Sequence, residues 1–201
     1  TDIGSPTGTS TVQSGNQWTI VSSGDIDGAT DVLRFLNAQV SGDWTLSFKL
    51  NSVTVNGASF PKFGAIVRNT LVDGVREVAC HNQLGTTSQV RARTTDGGSV
   101  GGVASSAEAV ARFYRYSRAG NVLTCESSPD GNAFVGVGSP YSTTVFDTAP
   151  YTGLFVVGAA GVASTGVFQN VNLSTAGRVS YTYTTGSAGT MARKMANPTR
   201  I

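Results

Sequence analysis

Short apolar or alternating runs recur along this chain about every 8 to 14 residues, and turn-forming residues separate them. Runs such as QWTIVS, WTLSFKLNSV and NVLTCES are rich in the β-branched and aromatic residues that suit strands. The segments between them tolerate the positive φ angles of tight hairpins, and they include Asp73-Gly74, Ala119-Gly120-Asn121 and Pro129-Asp130-Gly131. This rhythm predicts an all-β sandwich or barrel, in which the strands from about 61 to 138 form one meander.

The composition narrows the partners that such a fold can have. The 201 residues include 25 glycines and only 13% charged residues, and the formal net charge is +2. A charge this small predicts no nucleic-acid partner. No apolar run reaches the roughly 18 residues that a membrane-spanning helix needs, so we expect no membrane partner.

The stretch SSGDIDGATDVLRF gathers three aspartates, Asp25, Asp27 and Asp31, around Gly28. Closely spaced carboxylates bind calcium, but this stretch lacks the distal glutamate of an EF-hand loop. Aspartates before a strand also accept backbone N–H groups in turns. The pattern favours a structural turn and leaves a calcium ion at these three residues as the alternative. We expect no other cofactor.

The two cysteines, Cys80 and Cys125, have no CxxC or histidine companions, so a zinc site is not expected. Two interpretations stay open, a disulfide between strands and two buried free thiols. The composition favours free thiols, because two cysteines in a chain of this length make a poor disulfide scaffold.

Side-chain alternation along the predicted meander places several arginines on one face of a sheet. If Phe63, Ala65 and Val67 face the core, the opposite face carries Arg68, Arg91, Arg93, Phe113, Arg115 and Glu126. The residues between these, Tyr114 and Tyr116, then point into the core. The face is either a structural ladder of arginine and glutamate pairs or a polar groove for a glycan or an acidic peptide.

The acidic residues and the histidine argue against an enzyme. A glycosidase needs two carboxyl groups that flank one bond, and the three glutamates, Glu77, Glu108 and Glu126, lack the one-strand spacing that glucanases use. The single histidine, His81, has no partner for a nucleophilic triad. The sequence therefore predicts no catalytic residues.

The segment after residue 175 differs in composition from the rest. Residues 178–201 contain four basic residues and no acidic one, so they contribute +4 and the preceding residues −2 to the net charge of +2. We predict a sandwich over residues 1–175 and an extended basic arm over 176–201 that docks on neighbouring protein subunits. A disordered tail is the alternative. The predicted docking residues are Arg178, Tyr181, Tyr183, Met191, Arg193, Lys194, Met195 and Arg200.

Several stretches resemble a known family. SGDIDGATDVLRFLNAQVSGDWTLSFKLNSV, FPKFGAIVRNTLVDGVREVA and RFYRYSRAGNVLTCESSPDGNAFVGVGS follow one another in the order typical of concanavalin A-like modules appended to secreted bacterial polysaccharide-acting enzymes. The resemblance covers roughly residues 3 to 174. It implies two curved antiparallel sheets of jelly-roll type, a fold that does not specify a function. At the position where those modules carry a tryptophan after Ser-Asp-Gly, this chain has Asn132, Ala133 and Phe134, which weakens a carbohydrate-binding inference.

These observations favour a non-enzymatic structural or adhesive subunit of a surface assembly. The specific prediction is a phage virion protein, a capsid decoration or tail protein at the virion surface, that docks through the C-terminal arm. Three features of the sequence favour a virion protein: the basic C-terminal arm, the expected free thiols, and a first residue, Thr1, that fits the removal of an initiator methionine. The alternative is a secreted, extracellular carbohydrate-binding module, and a glycoside hydrolase comes third.

Overall fold

The computed structural model describes residues 1–106, 113–143, 146–175 and 179–181, and these form sixteen strands. The first eight strands are β1 (Asp2–Ile3), β2 (Ser10–Ser14), β3 (Gln17–Ser22), β4 (Leu33–Gln39), β5 (Trp44–Thr54), β6 (Lys62–Arg68), β7 (Glu77–Gln83) and β8 (Thr87–Arg93). The other eight are β9 (Gly101–Ser106), β10 (Phe113–Ala119), β11 (Val122–Ser128), β12 (Val135–Gly136), β13 (Tyr141–Ser142), β14 (Tyr151–Val157), β15 (Ser164–Thr175) and β16 (Val179–Tyr181). None of the described segments is a helix long and apolar enough to cross a membrane.

The strands build two antiparallel sheets that pack as a sandwich. The order in sheet A is β1-β4-β14-β6-β7-β8-β9. The order in sheet B is β12-β11-β10-β5-β15-β3-β2, with β13 beside β11 and β16 beside β15. This architecture confirms the predicted all-β, two-sheet antiparallel jelly-roll sandwich.

The main core lies between the sheets and follows the alternation of the sequence. In β5 the buried residues Trp44, Leu46, Phe48 and Leu50 alternate with more exposed neighbours. Tyr114 and Tyr116 are fully buried, as their alternation predicted. Their hydroxyl groups reach sheet A, because Tyr114 shares a hydrogen bond of 2.8 Å with Ser88 and Tyr116 donates one of 3.0 Å to the carbonyl of Val78. The two tyrosines thereby join the sheets by polar contacts inside an apolar core.

A second, smaller core lies on the outer face of sheet A. It contains Ile3, Ile26, Leu33, Phe35, Ile66, Ala79, Phe155 and Val157. Ile26 belongs to the segment between β3 and β4, which carries the three aspartates, so this segment covers part of the sheet. The outer face of sheet A is therefore partly closed.

The predicted single meander is wrong, because the chain changes sheets between β9 and β10. Strands β6 to β9 belong to sheet A, whereas β10 to β12 belong to sheet B. Alternation in a sequence assigns side chains to the two faces of a strand, but it carries no information on which sheet the strand joins. The pairing of β10 with β5, two strands that are far apart in the chain, places β10 in sheet B.

The cysteines form a disulfide between Cys80 on β7 and Cys125 on β11, so the favoured prediction of free thiols is wrong. The bond joins sheet A to sheet B through the core. Both residues are buried and face each other because each occupies an inward position of its strand.

The predicted C-terminal arm is described over residues 179–181 alone. These residues form β16, which pairs antiparallel with the end of β15 through Leu173↔Tyr181 and Thr175↔Val179. The backbone of the predicted docking residue Tyr181 thus extends sheet B. The other predicted docking residues, Arg178, Tyr183, Met191, Arg193, Lys194, Met195 and Arg200, lie outside the described residues.

Candidate functional site

The arginine face predicted from the sequence is divided between the two sheets. Arg68, Arg91 and Arg93 lie on β6 and β8 of sheet A, whereas Phe113, Arg115 and Glu126 lie on β10 and β11 of sheet B. Each set occupies the outer face of its own sheet, and the core lies between them. The prediction of one groove lined by all six residues is therefore wrong, and each half has its own chemistry.

The sheet A half is a buried ion network. Arg68, Glu77 and Arg93 stand opposite one another on three adjacent strands. Asp31 reaches them from the segment before β4, with Oδ2 at 2.7 Å from Arg68 Nη2 and Oδ1 at 2.7 Å from Arg93 Nη2. Arg93 also donates to the carbonyls of Ile26 (3.1 Å) and Gly28 (2.7 Å). The arginines of this half therefore fasten the aspartate-rich segment to the sheet.

Asp25 and Asp27 have a similar role beside Asp31. Asp25 Oδ1 lies 2.6 Å from Lys62 Nζ, and Asp27 Oδ2 lies 3.1 Å from the same nitrogen. Asp27 also contacts Arg91 Nη1 at 3.2 Å. In the part of the chain that the structure describes, no group of three His, Cys, Asp or Glu side chains could hold a metal ion. The geometry thus supplies ion-pair partners for all three aspartates, and the calcium alternative stays a prediction.

His81 lies in the same buried region and is not accessible to solvent. Its ring is fully buried and packs edge-on against Phe155, with the ring centroids 6.0 Å apart. Burial, together with the charges of Lys62 and Arg91, lowers the pKa of His81 well below 6.5. The histidine is therefore neutral in the folded protein near pH 7.

Glu77 is a buried carboxyl group whose surroundings raise its pKa. Burial, followed by the charge of Asp31, raises the pKa of Glu77 to about 8, although Arg68 and Arg93 act in the opposite direction. One oxygen lies 3.2 Å from Arg68 Nη1 and 3.7 Å from Arg93 Nη1. The proton on Glu77 is a consequence of the crowded network, in which Asp31 already neutralises part of the arginine charge.

This protonation predicts a pH-dependent effect of Glu77→Gln. Because the pKa of Glu77 is about 8 in the folded protein and 4.5 ordinarily, its contribution to stability is complete below about pH 4.5 and declines as the pH rises to about 8. Glutamine does not titrate. The melting temperature of the variant, measured from pH 4.5 to 8.5, should therefore rise relative to that of the wild type as the pH increases. A difference that is the same at every pH would contradict this.

The sheet B half is an open polar surface, which we call the polar face. It consists of two rows of outward side chains across adjacent strands. The first row is Gln17, Gln169, Lys49 and Phe113, and the second is Asn172, Ser47, Arg115 and Glu126. Their inward neighbours, among them Phe48, Phe168 and Tyr114, fill the core. With strands about 4.8 Å apart, the rows extend for roughly 15 Å.

Arg115 is held rigidly on the polar face. Its Nε and Nη2 atoms donate to the two oxygens of Glu126 at 2.6 and 2.9 Å, so the ion pair is bidentate. The guanidinium also lies over the ring of Phe134, 4.5 Å from the centroid. The Arg115 side chain is nevertheless 43% exposed. It therefore presents a fixed planar donor group to solvent.

Lys49 is the second cation of the polar face, and it rests on an aromatic ring. Its Nζ atom lies 5.7 Å from the centroid of Phe113, within cation–π range. The turn at Gly131, where φ is 81°, packs on the same ring, and a Cβ atom at this glycine would lie only 3.1 Å from it. Asp130 in this turn accepts hydrogen bonds from the backbone of Asn132, the hydroxyl of Ser128 and the backbone of Ala133, which lower its pKa to about 2. The turn thus holds Phe113 under Lys49.

The polar face can bind a polyhydroxylated molecule, because it combines amide, hydroxyl and cationic groups with aromatic edges. Among its described residues it offers no paired carboxylates of the kind that glycoside hydrolysis uses, because Glu126 is engaged with Arg115 and Glu77 lies in the other sheet. The alternation of the sequence predicted Phe113, Arg115 and Glu126 on this face, but it did not predict Lys49, Phe134 or the amide side chains. Lys49 was missed because β5 pairs with β10 and β15, which are distant in sequence.

Comparisons with known proteins show the fold. No family model and no curated protein sequence matches this chain. Among solved structures, a functionally unknown protein from Saccharomyces cerevisiae superimposes with a TM-score of 0.64 at 15% identity, over 87% of this chain and 95% of that one. The alginate lyase A1-II', of polysaccharide lyase family 7, gives a TM-score of 0.50 at 11% identity, over 79% of each chain. These likenesses confirm the concanavalin A-like sandwich that the sequence resemblance implied.

A third structure places the same fold inside a larger enzyme. Xylan β-1,4-xylosidase from Bacillus halodurans C-125 gives a TM-score of 0.51 at 15% identity, over 75% of this chain but only 32% of that one. At these identities the likeness concerns the fold alone. The function of this chain must therefore be argued from its own surface.

Proposed function

We propose that this chain is a non-enzymatic adhesive module that binds a glycan across the polar face of sheet B. The observation that supports this most directly is the ordered pair of cations on the face, Arg115 fixed by Glu126 and Phe134 and Lys49 resting on Phe113. Side chains that are already held in place lose little conformational entropy when a ligand binds.

The surroundings of the two cations suit a sugar polymer. Amide side chains of Gln17, Gln169 and Asn172 lie in the same rows, and Gln169 donates to Gln17 at 3.1 Å. Amides and hydroxyl groups can both donate and accept hydrogen bonds, as sugar hydroxyls do. The outer face of sheet A is a poorer candidate, since Arg68, Arg93, Lys62 and His81 are fully buried there.

We also propose that the protein works outside the reducing cytoplasm. Disulfides form and persist in oxidising compartments, and Cys80 is bonded to Cys125. Because the cysteines are bonded, free thiols no longer support a virion protein. We therefore propose the extracellular glycan-binding role first. The virion role and the docking of the arm stay predictions.

The test is to replace Arg115 with alanine and to compare it with a matched variant on the other sheet. Arg34 is suitable, because it forms an exposed ion pair with Asp2 at 2.9 Å on sheet A. On a glycan array, Arg115→Ala should weaken retention about tenfold or more, as expected for hydrogen bonds to a charged group. Arg34→Ala should bind like the wild type. Melting temperatures of both variants should change little, since exposed ion pairs contribute about 1 kcal/mol or less.

Two outcomes would contradict the proposed function. The first is that the intact protein binds no glycan on a broad array. The second is that Arg115→Ala and Arg34→Ala have the same effect on retention, which would place the binding surface away from the polar face.

A further inference from the structure

We infer that the polar face selects glycans that carry anionic groups, and that Lys49 is the residue that contacts the anion. This inference rests on the proposed function and specifies the class of its ligand. The shared chemistry is an anionic oxygen on a sugar, either a carboxylate or a sulfate ester.

The charge balance of the face points to Lys49 rather than to Arg115. Both oxygens of Glu126 accept hydrogen bonds from Arg115, so this pair has no net charge. None of the ion pairs among the described residues involves Lys49, and its Nζ atom lies over the ring of Phe113. Asp130, in the neighbouring turn, accepts hydrogen bonds from the hydroxyl of Ser128 and from the backbone of the turn. The charge of Lys49 is therefore available to a ligand.

The position of Lys49 is suited to a polymer that lies along the rows. In the register of sheet B, Lys49 has Phe113 on one side and Gln169 on the other. A sugar unit whose anionic group contacts Lys49 can thus meet an aromatic edge in one direction and amide groups in the other. A cation that already rests on an aromatic ring is also restricted before it binds, which favours a specific contact.

The experiment uses affinity electrophoresis with three polymers: dextran, dextran sulfate and polygalacturonate. Dextran and dextran sulfate share a backbone and differ in charge, and polygalacturonate carries carboxylates. The intact protein should be retarded by at least one of the anionic polymers about tenfold more strongly than by dextran. The retardation should weaken between 50 mM and 500 mM salt, because screening shortens the range of charge interactions.

Variants distinguish a specific contribution of Lys49 to binding from a general effect of the protein's net charge. Lys49→Gln should lose about nine-tenths or more of the binding to the anionic polymer, and Lys49→Arg should retain most of it. Arg34→Gln removes the same charge from sheet A and should bind like the wild type. Melting curves of the three variants verify that each is folded.

The outcomes distinguish the type of anionic group, the role of Lys49 and the proposed glycan binding from one another. Retardation by dextran sulfate alone identifies a sulfate ligand, and retardation by polygalacturonate alone identifies a carboxylate ligand. Equal binding of Lys49→Gln and the wild type, or a preference for uncharged dextran, would overturn the role of Lys49. Binding of neutral glycans alone on the array would overturn the anionic class and leave the proposed function standing, whereas a blank array would overturn both.

Discussion

Replacing Asp31 with asparagine should lower the free energy of unfolding by about 3–5 kcal/mol, the range found when one partner of a buried ion pair is removed. The carboxylate is completely buried and contacts Arg68 and Arg93, each at 2.7 Å. It also accepts a hydrogen bond of 3.1 Å from the backbone N–H of Gly74. Asparagine has nearly the same shape but no charge, so the variant leaves two buried guanidinium groups without the carboxylate that pairs with both of them.

The matched control is Asp2→Asn. Asp2 also pairs with an arginine, at 2.9 Å, but the side chains of this pair are 25% and 38% exposed. Its loss should cost about 1 kcal/mol or less. For a domain of this size about 1 kcal/mol shifts the melting temperature by about 2–4 °C, so Asp31→Asn should melt roughly 6–20 °C lower than the wild type. Equal shifts in the melting temperatures of the two variants would mean that Asp31 does not stabilise the buried ion network more than Asp2 stabilises its exposed ion pair.

Breaking the disulfide between Cys80 and Cys125 should cost about 4 kcal/mol. The two residues are 45 positions apart, and a closed loop of that length restricts the unfolded chain by roughly this amount in the chain-entropy model. The bond also joins β7 to β11, one strand from each sheet, so its loss removes the covalent connection through the core. Urea unfolding of the wild type with and without reductant measures the effect while leaving both sulfur atoms in place.

The control for this measurement is the double variant Cys80→Ala/Cys125→Ala. Its unfolding midpoint should not respond to reductant, whereas the midpoint of the wild type should fall when reductant is present. Because both cysteines are buried, the wild type must be unfolded in reductant before it is refolded at each urea concentration. A thiol assay on protein that is unfolded without reductant is a direct test. Two reactive thiols per chain in this assay would contradict the disulfide.

The strands and the identity of the core could be predicted from the sequence, because both depend on local alternation. Trp44, Leu46, Phe48, Tyr114 and Tyr116 occupy the inward positions that period-two patterning assigns to them. The assignment of the aspartate segment as mainly structural follows from the same local chemistry, since these residues precede a strand. The partners of the aspartates, Lys62, Arg68, Arg91 and Arg93, could not be predicted, because they are contributed by strands far along the chain.

The sequence by itself determined which face of each strand is apolar, since that property repeats every second residue. Only the tertiary structure decided which sheet each strand joins, and this divided the six residues of the predicted groove into a buried ion network and an open polar face. The same long-range pairing brought Cys80 next to Cys125 and Lys49 next to Phe113. The physical reason is that side-chain alternation is a local consequence of the extended backbone, whereas strand pairing depends on the packing of the whole sandwich.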